Sequence, residues 1–348
     1  MKNKSITILE IAKLANTSVA TVSRVLSGAD YPVSIELRKK IQKIAKETNY
    51  VPNTFSQALK GGKSKDIGVI IPNFTNPFYM QLISGIEYSC RSKGFNPIFC
   101  SSNNSDVQEL ANVDLLSQKC VEGLIISSIC HDTDALQAAF KKHKNVVLFD
   151  QEIKFSDCDY VSFDFFEGGY LAASHLLAKG HRNIAFLTSP LKNRSSRQSL
   201  YNGCLKAIAE YAHDGARCTL VSSDINVEDY MIWEYENGHC LADKFLELDP
   251  MPTAAFVYND ITAFSTMTQL AAKGIKIPED VSVVGFDNIV MSEYFSPPLT
   301  TISQPAFDTG ALASKIVLEK IDSNFRTNSH VILSPSLIER ASVKDINK

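Results

Sequence analysis

Side chains able to hold a small polyhydroxylated molecule recur in this sequence at the ends of short apolar runs. One run leads into N-F-T-N-P-F-Y (73–79), and three others end at Asp150, Asn259 and Asp287. Carboxylate and amide groups bind hydroxyls, and an aromatic ring packs against the apolar face of such a ligand. A single Asp at a strand end more often caps a helix. Several of them at neighbouring strand ends indicate a binding site.

The elements that must position these side chains alternate between β-branched runs and helical stretches from residue 66 onward. The predicted strands are 67–71, 97–100, 123–127, 146–149, 160–163, 184–187, 219–221, 254–258 and 281–285. This alternation predicts an α/β domain of two doubly wound parallel-sheet subdomains, with ligands bound at the carboxyl ends of the strands. The sequence has no G-x-G-x-x-G after the first strand and no G-x-x-x-x-G-K-[ST], so the usual nucleotide signatures are missing.

A second group of polar side chains marks the starts of three predicted helices in the first 50 residues. Thr7 and Glu10 form a capping box, and Asn16 tolerates the left-handed backbone of a tight turn. Ser18 and Ser34 can cap the two helices that follow. The helices are predicted at 8–15, at 19–26 and after Ser34. Two short helices joined by a tight turn, with a third packed on them, predict an all-α helix-turn-helix headpiece.

The charge distribution separates this head from the rest of the chain. Residues 1–60 carry ten Lys or Arg and four Asp or Glu, a net +6. The remaining residues carry 25 and 34, a net −9. A basic head suits a polyanionic partner, although short helical segments are also Lys-rich for solubility alone.

Composition and spacing exclude several other classes of protein. The chain of 348 residues is 45% hydrophobic and 21% charged, as globular proteins are. Its eight cysteines form no C-x-x-C pair and lack histidines at zinc-finger spacing, so we expect no metal and no other cofactor. The seven histidines form no recognisable catalytic pattern, so we expect no enzyme. Without a secretory signal or a long apolar run, a cytoplasmic protein with no membrane contact is expected.

The headpiece resembles that of the LacI/GalR family of transcriptional regulators in three strings. They are T-I-L-E-I-A-K-L-A-N-T-S-V-A-T-V-S-R-V-L-S, V-S-I-E-L-R-K-K-I and N-Y-V-P-N, with Asn16 where the family usually has Gly. Further strings extend the resemblance over the whole chain: I-G-V-I-I-P-N-F-T-N-P-F-Y, P-E-D-V-S-V-V-G-F-D-N, S-P-P-L-T-T-I-S-Q-P and I-E-R-A-S. The resemblance implies a repressor that binds a palindromic double-stranded operator as a homodimer. It also implies a ligand domain similar to periplasmic sugar-binding proteins, with a sugar-like effector.

The same resemblance sets the expected domain boundaries. The headpiece is expected at 1–51, a hinge helix with its linker at 52–62, and the effector-binding and dimerisation domain at 63–348. Within that domain, we expect an N-subdomain of 63–163 plus 293–324 and a C-subdomain of 164–292 plus 325–348. The helix over 78–93 is the expected dimer-interface element.

The recognition helix is predicted to read bases with Val19, Ala20 and Arg24, because its first residues enter the major groove. Arg24 can donate two hydrogen bonds to guanine. Hydroxyls at helix starts suit phosphate oxygens, although Ser18 and Ser34 could serve as caps alone. The full predicted DNA-contacting set is Thr7, Ser18, Val19, Ala20, Thr21, Ser23, Arg24, Ser34, Tyr50, Asn53, Leu59 and Lys60.

Residues 52–60 match the family's hinge helix, which pairs with that of the dimer mate on the operator. About eight residues form too short a helix to be stable alone in water. The resemblance implies that Leu59 enters the minor groove and kinks the duplex. The alternative is a plain linker with Leu59 packed on the core.

The effector-binding residues are carried over from the family by matching strings. Trp233 matches the family's stacking aromatic, although a lone Trp is more often part of a core. The predicted set is Asn73, Phe78, Tyr79, Ser128, Asp150, Arg194, Arg197, Trp233, Asn259 and Asp287.

Two positions depart from the family pattern. Leu200 stands three residues before Gly203, where the family commonly has an Arg that grips the effector. Phe165 follows Asp164, where an Asn is usual. Arg194 and Arg197 lie nearby and are the expected substitutes for the missing Arg.

Three alternatives follow from these departures and from the composition. The effector could differ from a common sugar, or the pocket could be vestigial and a phosphocarrier-type protein could regulate the repressor instead. A solute-binding protein would explain the large domain but not the basic head. For the repressor, the expected mechanism is linkage, in which the effector closes or twists the subdomains and thereby changes the spacing of the hinge helices.

Overall fold

The computed structural model describes residues 6–27, 31–50, 64–130, 133–143, 145–149, 158–192, 194–223, 225, 230–322 and 327–347. The chain divides into two compact units, Met1–Ser64 and Lys65–Lys348. The predicted hinge segment 52–62, with Asn53, Leu59 and Lys60, lies outside the described residues, and so does Asp150.

Three amphipathic helices make up the described part of the first unit. They are α1 (Ile8–Ala15), α2 (Val19–Leu26) and α3 (Ile35–Glu47). Their apolar stripes meet in one core, in which Ile11, Val22 and Ile41 are fully buried. Each helix buries one stripe and leaves its polar face outside, as amphipathic helices do. The predicted helix-turn-helix headpiece is confirmed.

The second unit alternates strands and helices along most of its length. Its strands are β1 (Asp66–Ile71), β2 (Asn96–Ser101), β3 (Gly123–Ile126), β4 (Val146–Phe149), β5 (Asp159–Phe163), β6 (Asn183–Thr188), β7 (Arg217–Ser222), β8 (Ala254–Val257), β9 (Ser282–Asp287), β10 (Thr300–Ser303), β11 (His330–Leu333) and β12 (Ser336–Ile338). Its helices are α4 (Pro77–Ser92), α5 (Asp106–Gln118), α6 (Thr133–Phe140), α7 (Phe165–Ala178), α8 (Ser195–Glu210), α9 (Tyr230–Leu246), α10 (Asp260–Ala272), α11 (Met291–Tyr294) and α12 (Ala306–Asp322). No helix among the described residues is long and apolar enough to span a membrane.

These strands form two six-stranded sheets. The first has the order β11-β5-β4-β3-β1-β2 and the second the order β12-β10-β9-β8-β6-β7. The β10–β12 pair is antiparallel, and the other pairs are parallel. The central strands β3, β8 and β9 are buried at every position, because helices cover both faces of a parallel sheet. The predicted fold class, two doubly wound parallel sheets, is confirmed for this unit.

The predicted subdomain boundaries need correction at two places. The range 293–324, predicted for the N-subdomain, contains β10, which pairs with β9 in the second sheet. The range 325–348, predicted for the C-subdomain, contains β11, which pairs with β5 in the first sheet. The chain therefore passes between the sheets after β5, between β10 and α12, and between β11 and β12. Each exchanged strand has only four residues, and its place is fixed by a distant partner strand, so local pattern did not reveal it.

Glycine allows the close approach of α7 and α8, which follow β5 and β6. A Cβ atom at Gly203 would lie 1.9 Å from the carbonyl oxygen of Phe166. Similarly, a Cβ atom at Gly169 would lie 1.9 Å from the carbonyl oxygen of Leu200. The two helix backbones are therefore in direct contact, and this contact fixes where α8 begins relative to the second sheet.

Candidate functional site

The recognition helix α2 projects from the headpiece core with its reading face outward. Val22 and Val25 are buried in the core, so the opposite face of α2 is turned to solvent. Ala20 and Arg24 are exposed, as a base-reading role requires, and Val19 is half-buried. Thr21 and Ser23 are also half-buried. Their contacts with bases or phosphates remain predictions.

Each headpiece helix begins with the hydroxyl cap that the sequence predicts. Glu10 donates its backbone N–H to the Thr7 hydroxyl at 3.3 Å, and the Glu10 carboxylate accepts the Thr7 N–H at 2.7 Å. Ser18 Oγ accepts from the N–H of Thr21 at 3.1 Å, and Ser34 Oγ accepts from Leu37 at 3.2 Å. The caps fix the starts of the helices. They leave both serines exposed, so a second role at phosphate stays open.

The turn between α1 and α2 uses an asparagine in the left-handed conformation. Asn16 has φ 54° and ψ 52°, and its N–H bonds back to the carbonyl groups of Ala12 and Lys13. Thr17 N–H also reaches the Ala12 carbonyl, at 3.0 Å. Asparagine tolerates this backbone better than other residues with a Cβ, which explains how it stands in place of Gly.

Arg24 has an aromatic partner that sequence reasoning missed. Its guanidinium carbon lies 4.4 Å from the centre of the Tyr31 ring. The carbonyl of Tyr31 in turn accepts from the guanidinium of Arg38 at 3.1 Å. The ring holds Arg24 in a defined position at the edge of the headpiece while its fork stays available to a base. No local pattern marks this pairing, because Tyr31 lies on the loop before α3.

Tyr50 packs against the headpiece core and is half-buried. Its N–H bonds to the carbonyl of Ala45 at 2.9 Å, and burial raises the pKa of its phenol. Tyr50 therefore contributes to the packing of the headpiece, and its contact with DNA remains a prediction.

In the second unit, residues from both sheets meet where the strands end. We use the name carboxyl-edge cluster for Asn76, Arg194, Arg197, Glu234, Tyr258 and Asn259. Asn76 Nδ2 donates to Glu234 Oε1 at 3.2 Å, and Asn259 Nδ2 donates to the same oxygen at 2.7 Å. Asn76 caps α4 after β1, and Asn259 caps α10 after β8, so Glu234 joins the two sheets. Burial raises the pKa of the Glu234 carboxyl, and the two amide hydrogen bonds oppose that change.

The two predicted arginines lie in this cluster. Arg197 places its guanidinium carbon 4.6 Å from the centre of the Tyr258 ring. Arg194 is the residue before α8, and its pKa is lowered first by burial and next by the positive charge of Arg197. Tyr79 and Asp106 from the first sheet's side also act electrostatically on Arg194. Arg194 and Arg197 thus lie at the junction of the sheets, where the sequence predicts the effector.

Asp287 lies at the end of β9 in a strained backbone conformation. Its φ is 116°, a value that residues with a side chain rarely adopt. Its carboxylate accepts from Gln304 Nε2 at 2.7 Å. Gln304 lies on the segment through which the chain leaves the second sheet for α12. Asp287 is therefore coupled to one of the inter-sheet connections, and contact with an effector remains a prediction.

Other predicted effector residues have structural partners of their own. Asn73 Oδ1 accepts from the N–H groups of Thr75 and Asn76, at 3.1 and 2.9 Å, and so organises the turn before α4. Ser128 is buried and bonds to the buried carboxylate of Glu109. Its neighbour Ser127 is also buried, and Ser127 Oγ has no hydrogen-bond partner among the described residues. Ser127 is therefore the better candidate at this strand end.

The predicted aromatic residues divide between core and junction. Phe78 is buried and packs edge to face against Phe163 at 6.1 Å, so it belongs mainly to the core. Tyr79 and Trp233 are half-buried. Trp233 precedes Glu234 on α9, and its stacking role remains a prediction.

The two departures from the family pattern have a packing explanation. Leu200 lies on α8 with its side chain buried in the core, so this position contributes an apolar side chain to the packing. Phe165 is buried between Phe163 of β5 and Phe286 of β9, with ring centres 6.0 Å from each. It therefore fills the space between the two sheets.

Sequence reasoning missed Asn76, Glu234 and Tyr258. Asn76 lies within the string 73–79 and Tyr258 ends the predicted strand 254–258, so both stand at predicted strand ends but are absent from the predicted effector-binding set. Glu234 lies on a helix, and no strand-end rule points to it. Within the described residues, no three His, Cys, Asp or Glu side chains lie together in a way that could hold a metal ion.

Comparison with known proteins agrees with this geometry. Residues 7–53 match the family model described as bacterial regulatory proteins, lacI family, and residues 173–343 match the periplasmic binding protein-like domain. The chain is 32% identical over 348 residues to the HTH-type transcriptional repressor PurR of Vibrio atlanticus (strain LGP32), covering 98% of this chain and 99% of that protein.

Two solved structures show the same architecture. The lac repressor dimer bound to operator and the anti-inducer ONPF superimposes with a TM-score of 0.82 at 26% identity, covering 98% of this chain and 100% of that one. A LacI family regulator from Enterococcus faecium with bound ribose gives a TM-score of 0.71 at 30% identity, covering 81% and 99%. The Vibrio atlanticus relative is a transcriptional repressor. The chain belongs to the LacI family of bacterial transcriptional regulators.

Proposed function

We propose that this protein is a repressor that binds a palindromic operator as a homodimer, under the control of a small polar effector held at the carboxyl-edge cluster. The observation that carries the DNA-binding half is the capped recognition helix, which buries Val22 and Val25 and exposes Ala20 and Arg24. One headpiece reads one half-site, and a two-fold dimer reads the palindrome.

The α4 helix supports the dimer. Its outer face carries Met80 and Tyr88, and Tyr88 is 69% exposed. The ring of Tyr88 lies 6.0 Å from that of Phe307, which is itself exposed on the neighbouring helix α12. Large apolar side chains exposed together on one face are typical of a protein–protein contact.

The carboxyl-edge cluster supports an effector. Glu234 bonds to amide groups from the side of each sheet, so a ligand inserted there meets both subdomains at once. Such a ligand shifts the balance between two subdomain arrangements only by its preference for one of them. The ribose in the Enterococcus faecium regulator supports a sugar or sugar derivative as the effector class.

Regulation by a phosphocarrier-type protein partner is the second candidate. The observation that favours it is Leu200, which occupies the position of the family's effector-gripping Arg and is buried in the core. Arg194 and Arg197 supply two guanidinium groups one to two helical turns earlier, so we prefer the small-molecule mechanism.

Selection of bound DNA from a random pool, with and without a panel of sugars, tests the proposal. We expect a palindrome of about 14–20 base pairs, and one sugar that changes its recovery. Recovery of no preferred sequence would refute the repressor. An operator response to a phosphocarrier protein, and to no sugar, would favour the second candidate.

A further inference from the structure

Three carboxylates near the carboxyl ends of the strands already accept hydrogen bonds from the protein. Glu234 Oε1 accepts from both Asn76 and Asn259. Asp287 accepts from Gln304, and Glu109 accepts from Ser128 and from the backbone N–H of Ile129. These carboxylate oxygens are therefore already engaged by donors of the protein, whereas Ser127 Oγ and Gln304 Oε1 have no partner among the described residues.

The strongest hydrogen-bond donors in the cluster are the guanidinium groups of Arg194 and Arg197. In the part of the chain that the structure describes, neither Arg194 nor Arg197 forms an ion pair with a carboxylate within 4 Å. Arg197 reaches only the carbonyl oxygen of Pro190, at 3.5 Å, and otherwise stacks on Tyr258. Both arginines are half-buried, so water satisfies only part of their hydrogen-bonding capacity.

The two guanidinium groups also repel each other. Arg194 is the residue before α8 and Arg197 is three residues further along, a spacing that places side chains on the same side of a helix. Burial lowers the pKa of Arg194, and the positive charge of Arg197 lowers it further. Glu234 lies close enough to Arg197 to interact electrostatically, but its bonded oxygen is committed to the two amides. Two like charges in a partly desolvated junction are unfavourable, and an anion placed between them relieves this.

We propose that the effector carries an anionic group, a carboxylate or a phosphoryl group, which Arg194 and Arg197 bind together. This inference rests on the proposed function and names the chemical class of its ligand. The planar fork of arginine matches the oxygen geometry of both anions and binds them through paired hydrogen bonds. The effector is thus an acidic or phosphorylated sugar derivative rather than a neutral sugar.

Titration of the full chain with inorganic phosphate at constant ionic strength tests the anion site directly. We expect a saturable heat of binding for the wild-type chain. The affinity for phosphate should be about tenfold or more lower in Arg194→Gln and in Arg197→Gln. Arg217→Gln is the matched control, because Arg217 lies at the amino end of β7, on the opposite edge of the sheet. Arg194→Lys and Arg197→Lys keep the charge and should retain part of the binding.

Two results of this titration would overturn the proposal. One is the absence of saturable phosphate binding by the wild-type chain. The other is phosphate binding that persists at full strength in the Arg194→Gln/Arg197→Gln double variant. A cooperative thermal transition in each variant shows that the fold is intact, so that a loss of binding reports on the site.

A matched sugar series then separates the two anions and tests the proposed function independently. Glucose, glucuronate and glucose 6-phosphate are compared for binding, as are ribose and ribose 5-phosphate. We expect a charged member to bind at least about tenfold tighter than its neutral parent, with this advantage lost in the double variant. Tightest binding by a neutral sugar would overturn the anion proposal and leave the repressor intact. Failure to select any operator would refute the repressor, while the phosphate titration would still decide the site.

Discussion

Asn76 Nδ2 lies 3.2 Å from Glu234 Oε1, so one hydrogen bond ties the loop after β1 to helix α9 on the other sheet. Glu234→Ala leaves the amides of Asn76 and Asn259 without their shared acceptor. We expect a loss of about 1–3 kcal/mol in the free energy of unfolding, measured with urea. Glu234→Gln keeps an acceptor oxygen and should lose less.

Glu236→Ala serves as the control for this prediction, because Glu236 is exposed on the same helix. Equal stability of Glu234→Ala and Glu236→Ala would contradict a structural role for the bond between the sheets.

The buried carboxyl group of Asp260 should make the free energy of unfolding depend on pH. This fully buried carboxylate accepts from Ile289 N–H, Ser292 Oγ and Thr301 Oγ1, yet burial raises its pKa from 3.8 to about 6. Because its pKa is raised in the folded chain, the folded state binds more protons than the unfolded state between these values. The contribution of Asp260 to stability therefore falls as pH rises, by about 3 kcal/mol between about pH 3 and pH 7, of which about 2 kcal/mol is lost between pH 4 and pH 6.

Asp260→Asn removes this titration without removing the hydrogen bonds. The Asn oxygen can accept from Ile289 and Ser292, while its amide donates to Thr301 Oγ1, whose hydroxyl can rotate. We expect the stability of the variant relative to wild type to increase by about 2 kcal/mol between pH 4 and pH 6. A difference in unfolding free energy that stays constant over this range would show that Asp260 keeps an ordinary pKa.

Arg24 should carry much of the sequence specificity of the headpiece. Arg24→Ala is expected to cost about 1–3 kcal/mol in operator binding and to relax one base position. Lys43→Ala is the control, because Lys43 is exposed on α3 and pairs with Glu47 at 3.8 Å. Titration of the selected operator and its single-base variants measures both effects. Equal losses on all sequences would mean that Arg24 touches only phosphate.

Tyr31 should influence operator binding through Arg24. Tyr31→Phe keeps the ring beneath the guanidinium and should bind the operator like wild type. Tyr31→Leu removes the cation–π contact and should weaken binding by about 0.5–1 kcal/mol. In the background of Arg24→Ala, the two Tyr31 variants should bind equally, and a difference that persists there would place the effect of Tyr31 elsewhere.

Gly203 should tolerate no larger residue. In Gly203→Ala the added methyl group would lie 1.9 Å from the carbonyl oxygen of Phe166, so α7 and α8 must move apart. We expect a loss of about 3 kcal/mol in unfolding free energy, at the upper end of the cost of overpacking. Asn202→Ala, at the exposed neighbouring position, is expected to change stability by less than about 0.5 kcal/mol. A Gly203→Ala variant as stable as Asn202→Ala would contradict direct backbone contact between the helices.

The headpiece could be predicted almost to the residue because its signals are local. Thr7, Ser18 and Ser34 each lie within three residues of the N–H group that they cap. The nine strands up to β9 could be predicted for a similar reason, since each is a short apolar run. By contrast, β10, β11 and β12 owe their positions to partner strands elsewhere in the chain, which local pattern does not contain.

The candidate site was predictable in outline but not in its central contact. Strand ends pointed to Asn259 and Asp287, and family matching pointed to Arg194 and Arg197. Glu234 lies on the second turn of α9, and its partner Asn76 is 158 residues earlier. Because such a pairing depends on how two sheets are placed, one sequence alone did not reveal it. Ser128 is predicted at this strand end, and its neighbour Ser127 is the buried side chain without a partner among the described residues.

The interleaved strands have a consequence for how the protein is made. The first sheet gains its edge strand only when His330–Leu333 has been synthesised and pairs with Tyr160–Phe163. The headpiece core, in contrast, is complete within the first 50 residues. On the ribosome, the DNA-reading head can therefore fold long before the domain that controls it, because pairings distant in sequence must wait for the end of the chain. A nascent chain arrested before residue 330 carries a complete DNA-reading head but an incomplete sensor.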